Sequence, residues 1–182
     1  MTELSKSDLS SKVDVKTEAK VEAVPKLSSR HLAREFAVQG TYAWLVNHTN
    51  SHVNTDASAV LSSAAHMTSV IEIHVRDADE ENSFKQCDKK LFRHILAGVL
   101  EHVTTLQTVF TPHLDRTLTE LSPVEHAILL VGTFELVHSI EVPKRVVINE
   151  AIELGKSFGG TDGHRFINGV LDRVAAVVRP HE

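Results

Sequence analysis

The sequence predicts an all-α protein, and three observations carry that prediction. Apolar residues recur at helical spacing in every long segment. The segment ends carry helix punctuation: capping residues and first-turn prolines at the starts, glycines and prolines at the stops. The two-residue alternation of strands is nearly absent, and five prolines and eight glycines in 182 residues are few. Hydrophobic content of 42% supplies a substantial core for one ordinary domain.

Residues 1–27 hold five lysines and five acidic residues, no aromatic residue and scattered serines. Such a segment buries too little apolar surface to offset its ordering entropy and reads as a disordered tail. Order is expected from Ser28, and residues 28–180 form the expected helical domain. Ser28 or Ser29 caps a helix through RHLAREFAVQGTYAWLV, with Leu32, Phe36, Val38, Tyr42 and Leu45 on its apolar side. Residues 47–58 read as a polar linker, 59–75 as a second helix and 76–82 as an acidic loop.

A long helix is predicted over 83–110, where Leu91, Phe92, Ile95, Leu96, Val99, Val103, Leu106 and Phe110 keep the spacing. Pro112 ends it, and a short helix follows over His113–Glu120. In SPVEHAILLVGTFELVHSI, Ser122 as N-cap, Pro123 in the first position and Glu125 in the third form a capping box. The apolar residues of that helix wrap most of its circumference, which marks it as central. Pro143 opens another helix, carried on Val147, Ala151, Leu154 and Phe158. Gly159-Gly160 stops it, the expected role being a left-handed C-terminal turn. Thr161 and Asp162 then cap a last helix with Phe166, Ile167, Val170, Leu171 and Val174 on its apolar face, closed by Pro180.

Net charge is −5, so no global positive field draws this chain onto nucleic acid, and any such binding needs a local patch. A single cysteine, Cys87, excludes an intramolecular disulfide and suits a reducing compartment. The first residues lack signal-peptide order and no apolar run approaches the ~20 residues of a membrane span, so a cytoplasmic protein is expected. Twelve histidines lack zinc-ligand spacing and read as surface residues, so no metal and no cofactor is expected. No nucleophile elbow or P-loop occurs, and the chain is not expected to be an enzyme.

Several polar residues are not needed for helix formation. Arg30, His31 and Arg34 stand at the start of the first helix, the two arginines four apart and on one face. Taken alone they read either as a solvated face or as a phosphate contact. Arg165 beside Phe166 is equally two-sided: a cation and a stacking ring for RNA, or Phe166 in the core and Arg165 in water. Asn149 and Glu150, mid-helix beside apolar residues, point to a buried or partner-facing hydrogen-bond network.

Three blocks resemble the NusB family of bacterial transcription antitermination factors. They are AREFAVQGTYAW at 33–44; FRHILAGV at 92–99 with LSPVEHAIL at 121–129; and VINEAIELGKSFG at 147–159 running into HRFINGVLD at 164–172. The tail 1–27 and the polar stretch 47–69 lie outside these blocks. The resemblance implies a compact bundle of about seven helices in two subdomains. It implies binding of boxA RNA together with the small-subunit ribosomal protein NusE, within an RNA polymerase antitermination complex serving ribosomal RNA operons. By position it assigns RNA contacts to Arg30, His31, Arg34, Asp162, Arg165 and Phe166, and a contact with the protein partner to Glu125. Family members often carry consecutive arginines before the ARE block, whereas this chain has Arg30-His31-Leu32, which implies lower intrinsic RNA affinity and more dependence on NusE. Two other readings stand beside it: a helical adaptor without RNA contact, and an RNA-binding module like that of ribosomal RNA cytosine methyltransferases.

Overall fold

Amphipathic helices of 15 to 22 residues bury their apolar stripes against one another in the computed structural model, which describes residues 27–49 and 64–182. The expectations for the tail over 1–26 and for the linker and helix start over 50–63 lie outside the described residues. Six α-helices are present among the described residues: α1 (Ser29–Thr49), α2 (Ala64–Ala78), α3 (Lys89–Phe110), α4 (Pro123–His138), α5 (Lys144–Phe158) and α6 (Gly163–Val178). No strand occurs among the described residues.

The first helix runs on to Thr49 and the second to Ala78, each three residues past its predicted end, and two further differences are local. The long helix starts at Lys89 rather than 83 because Asp88 is its N-cap, accepting from the Leu91 N–H at 3.0 Å. Residues Ser83–Gln86 form a separate 3₁₀ turn that tucks Phe84 edge-on between Phe36 and Phe92, with ring centroids 5.0 and 5.3 Å away. The predicted short helix over 113–120 is two 3₁₀ turns, Thr111–His113 and Leu118–Glu120. Among the described residues, these 3₁₀ turns stand in place of one of the expected helices.

The predicted capping box at α4 is present: Ser122 Oγ accepts from the Glu125 N–H at 3.2 Å, and Glu125 Oε2 accepts from the Ser122 N–H at 3.1 Å. The run Ala127–Leu136 is then buried without interruption, which makes α4 the central helix. It packs on α1, α3, α5 and α6. Gly98 of α3 is a notch for the Phe134 ring, since a Cβ there would collide with the ring's edge carbons. Gly159 corrects an expectation: its φ of −84° is ordinary, so no left-handed turn is involved. Glycine is used because a Cβ would strike the Gly155 carbonyl oxygen.

The C-terminal residues bind the α4–α5 turn. The buried Arg179 guanidinium donates to the carbonyls of Glu135 (2.8 Å), Leu136 (2.7 Å), Ser139 (2.9 Å) and Val142 (2.6 Å). One cation thereby gathers the carbonyls at the end of α4, adding to the backbone bonds that Glu135 and Ser139 already accept, where the helix dipole also favours positive charge. Glu182 Oε1 accepts from the Lys144 N–H at 2.6 Å, capping the first turn of α5.

Candidate RNA-binding surface

The start of α1 sits on a charged cluster that α1, α4 and α5 build together. Arg34 is 3% exposed and Glu135 1%, and the guanidinium donates twice, Nε to Oε2 at 2.8 Å and Nη2 to Oε1 at 2.9 Å. Its Nη1 also donates to the Arg30 carbonyl at 3.4 Å and lies 3.9 Å from Glu150 Oε2. Burial alone would lower the Arg34 pKa, but the hydrogen bonds and charge of Glu135 hold it above its ordinary value. Arg34 is therefore a fixed cation inside the bundle. This corrects its expected place in an exposed basic patch: α1 turns Arg34 inward to neutralise Glu135, because a buried carboxylate without a partner is far more costly.

The neighbouring residues divide between this cluster and the surface. His31 Nδ1 donates to Glu150 Oε2 at 2.7 Å, which fixes the imidazole between α1 and α5. Of the Asn149-Glu150 pair expected in a network, Glu150 joins it and Asn149 is exposed. Arg30 is exposed, so of the two arginines it alone presents its side chain outward at the start of α1.

The start of α6 is built differently. Asp162 stands at the N-cap but makes no side-chain capping bond; its Oδ1 accepts from Arg165 Nη1 at 3.2 Å, both side chains being largely exposed. Phe166 is half-buried, and the guanidinium of Arg116 lies over its ring, 4.2 Å from the centroid. The ring predicted as a stacking platform is thus covered by a cation from the turn before Leu118–Glu120. Arg116 is a candidate contact that sequence reading missed, since nothing in the local pattern ties it to a phenylalanine 50 positions on.

Helix α5 links the two helix starts: Glu150 at its middle holds His31, and Gly155 in its last turn packs against the backbone of His164. Glu125 Oε1 lies 3.6 Å from where a Gly163 side chain would begin. Glu125, to which the resemblance assigns a contact with the protein partner, therefore stands next to the start of α6.

Other candidate chemistry finds no support among the described residues. Burial pushes the Cys87 thiol up to about 11, so it is not a thiolate nucleophile at neutral pH. No group of three or more His, Cys, Asp or Glu is arranged to hold a metal ion among the described residues. His94 packs edge-on against Phe134 at 5.4 Å, and His102 stacks on His138 at 4.9 Å. No described helix is long and apolar enough to cross a membrane.

Known proteins resemble this chain along most of its length. A sequence model of the NusB family matches residues 31–176. The transcription antitermination protein NusB of Bordetella pertussis is 50% identical over 155 residues, 85% of this chain and 90% of the relative. That of Ralstonia pickettii is 44% identical over 166 residues, 91% of this chain and 94% of the relative. A solved structure of T. maritima NusB superposes with a TM-score of 0.61 at 23% identity, covering 82% of this chain and 92% of that one, which supports the all-helical fold. With a match across residues 31–176, its fold shared and its central capping box in place, this chain belongs to the NusB family.

Proposed function

We propose that this chain is a cytoplasmic, non-enzymatic transcription antitermination factor. In this reading it binds boxA RNA together with NusE, as part of the RNA polymerase antitermination complex on ribosomal RNA operons. The observation that carries the reading is near-full-length similarity to relatives named as antitermination proteins. The geometry supports a division of labour on the RNA side. Arg30 is the exposed cation at the α1 start, His31 lines the same edge, and Arg165 with Asp162 lies at the α6 start. Phe166 contributes through the Arg116 guanidinium stacked on it. Arg34 serves as a positioning residue that fixes the α1 start through Glu135. Glu125 contributes to the NusE side.

The test is boxA binding in the presence of NusE at several salt concentrations. Arg30→Ala should weaken binding and lower the salt slope by about 0.7, the loss of one phosphate contact to a single strand. A second change, Arg165→Ala, should lower it by a similar amount. Slopes unchanged in both variants would remove these arginines from the RNA surface. A chain that binds NusE but no RNA would instead be the helical adaptor.

A further inference from the structure

A groove of about 590 Å³ opens where the first turns of α1, α3 and α5 meet. The three helices are held together there: the Asp88 N–H at the head of α3 donates to the Ser29 carbonyl at 3.0 Å, and His31 of α1 is bound to Glu150 in the second turn of α5. Arg30 from α1 and Lys90 from α3 line the groove and are exposed. His94 lines it one turn further along α3, its ring held against Phe134. Val146, 41% exposed, supplies an apolar wall, and Glu150 stands at the inner end.

This lining is mixed, and the mixture selects the ligand. Two of its carboxylates, Glu141 and Glu150, have no bidentate guanidinium of their own and would repel a phosphate seated in the groove. Arg34 offsets them only in part, because Glu135 holds it by two hydrogen bonds while Glu150 lies 3.9 Å from its Nη1. A nucleobase meets the same lining well. Its faces are apolar, its edges need both donors and acceptors, and the phosphates on either side remain outside, where Arg30 and Lys90 reach. Glu150 uses one lone pair on His31 and keeps others. A carboxylate accepts from an exocyclic amino group, so it favours cytosine or adenine over uracil.

We propose that this groove seats one unpaired, amino-bearing base of the bound RNA, with Glu150 reading its edge and Lys90 joining Arg30 on the adjacent phosphates. The inference rests on the RNA-binding reading and extends the RNA surface onto the start of α3, to residues that the sequence did not single out. The test uses the full chain with NusE and a fluorescent boxA RNA at fixed salt, together with boxA RNAs made abasic at one nucleotide at a time. Val146→Trp fills the groove from an exposed position, and a base seated there is worth about a tenfold to hundredfold loss in affinity when excluded. One abasic position should weaken the parent by a similar factor and cost the Val146→Trp chain nothing further. Lys90→Glu, at an exposed site outside the core, should weaken binding and lower its salt slope without changing which abasic position matters, and keeps the groove testable should the tryptophan variant fold poorly. Glu150→Gln should narrow the parent's preference for cytosine over uracil at that one position. Parental affinity in both Val146→Trp and Lys90→Glu, or a Val146→Trp loss that adds equally to every abasic position, would overturn the groove while leaving RNA binding standing. A parent chain that binds no RNA with NusE present would overturn both.

Discussion

Arg34 provides the sharpest separation between a structural and a direct RNA role. Replacing it with Ala removes both hydrogen bonds to Glu135 and leaves a carboxylate that is 1% exposed without a counter-charge. Breaking a buried pair from one side costs about 3–5 kcal/mol. For a domain of this size each kcal/mol lowers the melting temperature by about 2–4 °C, so a fall of about 6–20 °C is expected. Arg34→Lys should recover only part of this, since one ammonium cannot reproduce the two-pronged contact. The double change Arg34→Met with Glu135→Leu should recover most of the loss, because neither charge remains to be neutralised. Glu150 tolerates that double change: it is 23% exposed and keeps His31. Urea titration of the four chains, with RNA affinity measured on the same samples, is the assay. A cost below about 1 kcal/mol for Arg34→Ala, combined with a large loss of RNA affinity, would refute the buried role and return Arg34 to the surface.

Three further outcomes follow from the same geometry. Arg179→Ala removes four hydrogen bonds at the α4–α5 turn, the Glu135 and Ser139 carbonyls keeping a backbone donor, and should destabilise by about 2–3 kcal/mol in a urea titration, with amide exchange accelerated first at Ser139–Val142; a loss under about 1 kcal/mol would mean that water replaces the guanidinium without penalty. Burial holds the His126 pKa below its ordinary value, so the folded chain favours the neutral ring, and stability is whole above the unfolded value near 6.5 and lost as pH falls through the lower folded value. The melting temperature should therefore fall on acidification below about pH 6.5, and His126→Gln should flatten that fall; an identical pH profile in the variant would exclude His126 as a contributor. Glu125→Lys removes half of the α4 capping box at a cost of about 1 kcal/mol and should weaken NusE binding, whereas unchanged NusE affinity would leave Glu125 with its capping role alone.

What the sequence revealed is what local chemistry determines. Ser122 and Glu125 are three residues apart and name their own capping box, and the unbroken apolar run after them identifies the central helix. The start of α3 was not legible, because Phe84 continues the apolar pattern although the backbone breaks at Cys87. Its ring fills a gap between Phe36 and Phe92, a tertiary fact that spacing does not encode. The same limit applies at the site. Arg30 and Arg34 look equivalent on a helical wheel, yet one is exposed and the other buried, and the deciding residue, Glu135, lies 101 positions away. Its signal was present as the lone charge in an apolar stretch, which calls for a buried counter-ion without saying which one. The Arg116–Phe166 stack and the groove shared by α1, α3 and α5 likewise arise only once the bundle closes.

The most direct test of the central claim is the affinity of the full-length chain for boxA RNA and for a scrambled RNA of the same composition, with and without NusE, at one fixed salt concentration. The account predicts weak binding by the chain alone, as expected where Arg30 is the exposed arginine of the α1 cluster, and a clear gain for boxA over the scrambled RNA when NusE is added. Equal affinity for both RNAs in the presence of NusE, or no RNA binding at all, would contradict it.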